Sequence, residues 1–89
     1  MALLDLLGRR WALRLIWELR DGGLTFRELQ SSCDGMSSSV LNQRLGELRE
    51  AGVVRVRRGE GYSLSEDGLA LLEALEPLQE WARGWSERG

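Results

Sequence analysis

The stretch "SSSVLNQRLGELREAGVVRVRRGEGYSLSEDG", from Ser37 to Gly68, decides the fold. Ser37 is a favourable N-cap, and leucines at helical spacing define an inner face behind it. Gly52 ends this helix, because glycine adopts the left-handed conformation without strain. The residues "VVRVR" then alternate as a strand, and "YSL" returns after the connection "RGEG". The sequence therefore predicts a helix over residues 37–51 followed by a hairpin over residues 53–64.

The segments on either side of this stretch predict further helices. "ALLDLLG" at residues 2–8 and "RRWALRLIWELRD" at residues 9–21 indicate two helices. The second is apolar around most of its girth, which is typical of a central core helix. "TFRE" matches a capping box, with Thr25 as N-cap and Glu28 three residues later, and opens a short helix.

A final helix follows the hairpin. Ser65 is its expected N-cap, and Pro77 is expected to kink it or split it into two pieces. This order of elements predicts a mainly α fold with a small β-hairpin, the winged helix-turn-helix. We expect a single domain over residues 1–89, with the helix-turn-helix at 25–51, the wing at 53–64 and a C-terminal dimerisation helix at 66–85.

Length and composition narrow the class of protein. A chain of 89 residues buries only about 60–65% of its unfolded surface, so pairing with a second copy would help stability. Neither a signal peptide nor a membrane span is apparent, which predicts a cytoplasmic protein without a membrane partner. Catalysis finds no support, because there is no His and no nucleophile signature. We expect no metal and no cofactor.

Charge is distributed unevenly along the chain. The net charge is −2, yet residues 25–60 carry six Arg against five acids, and residues 66–89 carry six acids against two Arg. All twelve basic residues are arginine, whose planar fork suits phosphate or guanine. The middle of the chain is therefore the region better suited to nucleic acid.

The outward face of the helix at 37–51 has the residues that a DNA-reading helix needs. Ser38, Ser39, Asn42 and Gln43 are small or hydrogen-bonding, and Asn and Gln can bond adenine with two contacts. Gly46 removes a side chain from this face, which a close approach to DNA could justify. The alternative is a merely solvated face on which Gly46 is tolerated.

The wing concentrates arginine at its outer end. Arg55, Arg57 and Arg58 lead to the tip "GEG", which could lie along phosphates or place an Arg in a narrow minor groove. The alternative is that charged strands avoid edge-to-edge aggregation. Thr25 and Arg27 open the preceding helix, where a phosphate could meet free backbone N–H groups. Thr25 is already explained by capping.

Apolar residues at both ends of the chain indicate a dimer. Leu71, Leu75, Leu78, Ala82 and Trp85 repeat at four-three-four-three spacing, like a short coiled-coil seam. The alternative is a single buried helix. The residues expected at the dimer interface are Leu3, Leu4, Leu7, Trp11, Leu71, Leu75, Leu78, Trp81 and Trp85.

Cys33 falls on the inner face of its helix. It is interpreted as a small buried hydrophobe. A redox sensor would need exposure and a cationic neighbour, and the sequence indicates neither. As the only cysteine, in a chain without His, it cannot make an ordinary zinc site.

Four pieces of the chain, in order, resemble the HxlR-type winged-helix transcriptional regulators of the wider MarR/ArsR-like group. They are "LLGRRWALRLIWEL", "GGLTFREL", "GMSSSVLNQRLGELREAGVV" and "YSLSEDGLALLEAL" with its later "EW". The resemblance implies a homodimer formed by terminal helices, with one recognition helix in each half of a two-fold DNA site. It also implies base contacts from Ser38, Ser39, Asn42 and Gln43, and a flanking phosphate contact from Arg44.

The sequence thus predicts a sequence-specific, homodimeric regulator that binds double-stranded DNA. The expected DNA-binding residues are Thr25, Arg27, Ser37, Ser38, Ser39, Asn42, Gln43, Arg44, Arg55, Arg57 and Arg58. Two alternatives stay open. One is a winged-helix protein-interaction module without DNA binding, favoured by the weak charge of the outer face, by Gly46 and by the short wing. The other is a regulator that senses redox state or a small-molecule ligand, whose identity the sequence does not indicate.

Overall fold

The computed structural model describes residues 2–88. Five helices and one hairpin follow in the order α1 (Ala2–Leu7), α2 (Ala12–Glu18), α3 (Phe26–Ser32), α4 (Ser38–Glu50), β1 (Val54–Arg57), β2 (Gly61–Leu64) and α5 (Glu66–Arg88). This mainly helical arrangement with a two-stranded antiparallel hairpin confirms the predicted fold class.

The core lies between α2, α3, α4 and the base of the hairpin. Leu15 and Ile16 of α2, Leu29 of α3 and Leu41 of α4 are each 0% exposed. Leu19, Cys33, Met36, Leu45, Leu48, Val53, Val54 and Leu64 complete the cluster. This packing confirms that α2 is the central core helix, because Leu15 and Ile16 are both enclosed although they lie on neighbouring faces of the helix.

The helix predicted over residues 9–21 is shorter in the structure. It begins at Ala12 and ends at Glu18, because Trp11 has a positive φ of 78° and cannot continue a right-handed helix. The Ala12 N–H donates to the Arg9 carbonyl at 3.2 Å, which closes a turn between α1 and α2. The periodic apolar pattern extends through this turn, so the pattern alone overestimated the length of the helix.

The hairpin pairs Val54 with Leu64 and Arg57 with Gly61. Leu24 adds a bridge to Tyr62, with both backbone N–H to carbonyl distances at 2.8 Å. Val54 is buried but Val56, expected on the same face, is 41% exposed. The hairpin therefore extends beyond the core, and its outer end projects into solvent.

The start of α5 is held against the base of the hairpin. The Gly68 N–H donates to Ser65 Oγ at 3.0 Å, as predicted for an N-cap. Gly68 lies so close to the Val53 carbonyl that a Cβ would overlap it. The alternative that Pro77 splits the helix is wrong, because α5 runs unbroken from Glu66 to Arg88. Pro77 and Glu73, whose carbonyl loses its usual partner, are both exposed, so water can serve that carbonyl.

Candidate nucleic-acid interface

The start of α3 is fixed by the capping box that the sequence predicts. The Glu28 N–H donates to Thr25 Oγ1 at 3.1 Å, and the Thr25 N–H donates to Glu28 Oε1 at 2.8 Å. Both orphan donors are therefore satisfied within the chain. The side chain of Arg27, next in sequence to Phe26, is exposed. Of these residues, Arg27 has the side chain that is free to reach a phosphate.

A short turn joins α3 to α4. The Met36 N–H donates to the Cys33 carbonyl at 3.1 Å, and Gly35 takes a φ of 84°. Ser37 then caps α4, because its Oγ accepts from the Val40 N–H at 3.2 Å. The turn and the cap together set the direction in which α4 leaves the helix pair.

Helix α4 separates an apolar inner face from a polar outer face. Leu41 and Leu48 are each 0% exposed and Leu45 is 2% exposed. The opposite side bears exposed residues, namely Ser38, Ser39, Asn42, Gln43, Gly46, Arg49 and Glu50. The amide groups of Asn42 and Gln43 have no partner within residues 2–88, so they are available to an external ligand.

The side chain of Arg44 has hydrogen-bond partners within the chain. Its Nε donates to the Arg10 carbonyl at 2.9 Å, and its Nη1 donates to Glu47 Oε1 at 3.0 Å. The side chain is only 15% exposed, and Arg9 also pairs with Glu47 at 3.0 Å. Arg44 therefore fastens α4 to the turn before α2. This geometry does not favour the phosphate contact predicted for it.

The wing presents its arginines to solvent. Arg55, Arg57 and Arg58 are all exposed. Arg57 is loosely paired with Glu60 at 3.9 Å, and Arg55 Nε lies 3.4 Å from Ser63 Oγ. Exposed pairs of this kind contribute little stability, so they would yield readily to a phosphate.

Arg49 is an exposed cation that was not among the residues predicted to bind DNA. It lies seven residues after Asn42 and therefore on nearly the same line of α4. Within residues 2–88 no carboxylate pairs with it. Helical periodicity could have identified it, because the spacing from Asn42 is visible in the sequence.

Cys33 is a core residue. Its side chain is 1% exposed. Burial raises the pKa of its thiol, and Arg14 partly opposes this rise, while Glu18 and Asp34 add to it. The buried environment keeps the thiol protonated, which agrees with its interpretation as a small hydrophobe.

The residues predicted for dimer contact divide into two groups. Leu7, Trp11 and Leu71 pack against the core of their own chain, and Leu75 is half-buried. The remaining members are exposed: Leu3 40%, Leu4 60%, Leu78 55%, Trp81 60% and Trp85 60%. The rings of Trp81 and Trp85 stack with centroids 6.4 Å apart. Leu13 and Leu69, not predicted as interface residues, are 43% and 49% exposed.

The described residues were also compared with the requirements of a metal site and of a membrane-spanning helix. Within residues 2–88, no cluster of His, Cys, Asp and Glu side chains is arranged to hold a metal ion. Over the same span, every helix is too short or too polar to cross a membrane.

Comparison with known proteins identifies the family. Residues 6–89 match the family model described as HxlR-like helix-turn-helix. The uncharacterized HTH-type transcriptional regulator YvaP of Bacillus subtilis is 34% identical over 89 residues, which cover 91% of this chain and 81% of YvaP. The HTH-type transcriptional regulator YodB of the same organism is 34% identical over 91 residues, covering 96% of this chain and 81% of YodB.

Solved structures agree with this assignment. Quinone-bound YodB from B. subtilis superposes with a TM-score of 0.86 at 32% identity, covering 93% of each chain. A possible HxlR family transcriptional factor from Thermoplasma volcanium gives a TM-score of 0.83 at 31% identity, covering 94% of this chain and 81% of that one. The exposed polar face of α4 and the arginine-bearing wing thus lie on a regulator scaffold. The chain belongs to the HxlR-like helix-turn-helix family and is a DNA-binding transcription regulator of the winged-helix type.

Proposed function

We propose that this chain is a cytoplasmic, homodimeric regulator that reads a two-fold DNA sequence with α4 in the major groove and the wing on the adjacent backbone or minor groove. The observation that carries the proposal is the division of α4 into two faces. Three leucines are enclosed in the core, while the amides of Asn42 and Gln43 are exposed and free.

Base reading is assigned to the first half of α4. Ser38, Ser39, Asn42 and Gln43 are exposed there. Asn and Gln can each make two hydrogen bonds to adenine in the major groove, and Ser accepts or donates. Ser37 is adjacent but its hydroxyl caps the helix. It therefore supports the position of the reading residues rather than adding a base contact.

Backbone contact is assigned to exposed arginines on both sides of α4. Arg27 lies at the start of α3, and Arg55, Arg57 and Arg58 lie on the wing. Cations on phosphates supply sequence-independent affinity and strong salt dependence. Arg44 is left out of this set because its guanidinium is engaged with Glu47 and the Arg10 carbonyl.

Dimerisation is assigned to the terminal helices. The exposed leucines of α1 and the stacked Trp81 and Trp85 of α5 form apolar surface that one chain leaves uncovered. Apolar side chains of this size favour a protein partner over water. A two-fold pair would present two α4 helices to one duplex, with half-sites separated by about 34–36 Å or one helical turn.

Sensing through Cys33 is not supported by the geometry. The relative YodB binds a quinone in one of its crystal structures. In this chain Cys33 is enclosed, and burial raises its pKa, so little thiolate is available to an oxidant. Mild oxidant should leave DNA affinity unchanged in both the natural chain and Cys33→Ser. A loss of affinity confined to the natural chain would instead assign Cys33 a sensing role.

The test of DNA reading begins with selection of bound fragments from random duplex DNA. Fluorescence anisotropy then compares the selected and a scrambled duplex at two salt concentrations. Gln43→Ala should cost about 1–3 kcal/mol for each half-site of the selected duplex and little on the scrambled one. Arg57→Ala with Arg58→Ala should weaken both duplexes alike and reduce the salt dependence.

Arg88→Ala is the matched control, because it removes an exposed arginine from the far end of α5. It should leave both affinities nearly unchanged. An unaltered ratio of the two affinities in Gln43→Ala would remove Gln43 from base reading. Flat titrations of the natural chain at low salt would favour the protein-interaction module instead.

A further inference from the structure

A shallow groove runs between the second half of α4 and the first strand of the wing. Its lining residues are Gly46, Arg49, Glu50, Val54, Arg55 and Val56. We call it the α4–β1 groove. It lies beside the base-reading residues but contains only one member of the DNA-contact set proposed above, namely Arg55.

Gly46 gives the groove a floor without a side chain. A Cβ built at this position meets no atom within 4 Å apart from the adjoining backbone of α4 itself, so packing against the rest of the described chain does not require glycine here. Gly68 is different, because a Cβ there would overlap the Val53 carbonyl. Glycine in a helix interior is unfavourable relative to alanine. Open space at an unfavourable glycine is consistent with an external group that approaches the backbone of α4 closely.

Two arginines line the groove together with Gly46, namely Arg49 from α4 and Arg55 from β1. Arg49 is exposed and has no carboxylate partner within residues 2–88. Arg55 is exposed, its Nε donates to Ser63 Oγ at 3.4 Å, and within residues 2–88 no carboxylate pairs with it. Glu50 is the one acid in the lining, so the groove keeps a net charge of about +1 by this count. The planar fork of arginine is suited to bind an anion with two oxygens, such as phosphate.

The position of the groove fits the sugar-phosphate backbone. Arg49 lies seven residues beyond Asn42, which is about 10 Å along the helix axis. The major groove is about 12 Å wide. If the first half of α4 lies among the bases, its second half reaches the flank of the groove, where the backbone runs.

We propose that one phosphodiester of the DNA backbone lies over Gly46 in the α4–β1 groove, between the guanidinium groups of Arg49 and Arg55. This inference rests on the proposed function, since it requires α4 in the major groove. It adds Gly46 and Arg49 to the DNA contacts, and it gives the bare floor of the groove a reason. Phosphate held here fixes the depth and register of α4 without reading sequence itself.

Two single variants test the groove. Arg49→Ala should weaken the selected and the scrambled duplex by the same factor and reduce the slope of log affinity against log salt by about 0.9 for each chain, or about 1.8 for the two chains on one duplex. The affinity lost between about 50 mM and about 200 mM salt should therefore be roughly 12-fold smaller than in the natural chain. Gly46→Leu should weaken both duplexes by at least about tenfold, because the side chain would occupy the place of the phosphate.

Changes in folding stability should not cause the losses of DNA affinity expected for these variants. Leucine is a better helix former than glycine, and the Gly46 position is open, so Gly46→Leu should unfold no more easily than the natural chain. Compared with Arg49→Ala, Arg49→Lys should recover part of the DNA affinity and the full slope of log affinity against log salt. Lysine restores the positive charge but lacks the planar fork of the guanidinium group. Replacing single phosphates of the selected duplex by uncharged methylphosphonates should reveal one position in each half-site whose loss adds nothing to Arg49→Ala.

The outcomes separate this inference from the proposed function. Unchanged affinity and slope in Arg49→Ala, or unchanged affinity in Gly46→Leu, would overturn the groove assignment while Gln43→Ala still altered base preference. If the natural chain itself bound no duplex, both the groove assignment and the proposed function would be overturned. Arg88→Ala again serves as the control for loss of one exposed arginine.

Discussion

The helices around the core and the helices at the two ends of the chain use the same residue types in opposite ways. Leu15, Leu41 and Leu48 are 0% exposed, whereas Leu4 and Leu78 are 60% and 55% exposed. One chain therefore completes its own core but leaves large apolar side chains of α1 and α5 in water. The difference teaches that intramolecular packing accounts for the helix-turn-helix, while the terminal helices need a partner to become equally well packed.

The largest expected effect is on the core side of this comparison. Leu45→Ala should lower the free energy of unfolding by about 2–5 kcal/mol, because the enclosed side chain leaves a cavity. Denaturant unfolding at fixed protein concentration measures the change. Leu69→Ala is the matched control, since Leu69 is 49% exposed. It should stay within about 1 kcal/mol, and an equal loss in both variants would erase the distinction.

The second effect concerns the terminal helices. Trp81→Ala combined with Trp85→Ala should weaken self-association by at least about 2 kcal/mol, or roughly 30-fold in the dimer Kd. Sedimentation equilibrium reports the change, and circular dichroism should show the helices retained. Val56→Ala, which alters an exposed apolar residue of the hairpin, is the control. A dimer as tight as that of the natural chain would place the interface elsewhere.

The third effect contrasts two glycines in helices. Gly68→Ala should destabilise the fold by about 1–3 kcal/mol, because its Cβ would press on the Val53 backbone that joins α4 to the wing. Gly46→Ala should instead stabilise the fold by up to about 1 kcal/mol, since its Cβ enters open space. Thermal unfolding of both variants tests the contrast. Shifts of the same sign would contradict it.

The fourth effect is local to the start of α3. Thr25→Ala should cost about 1 kcal/mol of stability, because the Glu28 N–H loses the acceptor that lies 3.1 Å away. Arg27→Ala, two residues later, should stay within about 0.5 kcal/mol in stability while weakening DNA binding. If Arg27→Ala were less stable than Thr25→Ala, the capping box would contribute little to stability.

The smallest effect is a dependence of stability on pH. Because burial raises the folded-state pKa of Cys33, its thiol stabilises the native state fully below the unfolded pKa. That contribution is lost as the pH rises through the raised folded pKa. Denaturant midpoints measured from about pH 7 to about pH 10 should fall more steeply in the natural chain than in Cys33→Ala. If the denaturant midpoints of the two proteins fell equally with pH, the Cys33 thiol would not be shielded from water in the folded state.

The elements best predicted from sequence are those whose signal is local and periodic. The leucine spacing of α4, the Thr25 capping box and the Ser65 cap all express contacts between residues three or four apart. Trp11 was not foreseen as a helix boundary, because a left-handed turn leaves no gap in an apolar pattern. Of the two alternatives expected at Pro77, a kink or a split of the helix, the split was wrong, because the exposure of Glu73 is a tertiary property that the sequence does not show.

The candidate site could be predicted only in part. The outward residues of α4 follow from the inward leucines by geometry alone. Arg44 could not be placed, because its partners include the Arg10 carbonyl, which lies 34 residues earlier in the chain. The α4–β1 groove likewise depends on how the wing folds back beside α4, and no spacing within either segment encodes that approach.

The central claim is that two copies, joined through their terminal helices, place their α4 helices on one duplex. Sedimentation velocity of a selected, labelled duplex titrated with the chain measures this stoichiometry directly. The account predicts saturation at two chains per duplex, with no populated one-chain complex, and loss of this behaviour in the Trp81→Ala, Trp85→Ala variant. Saturation at one chain per duplex, or two-chain binding that survives loss of both tryptophans, would contradict it.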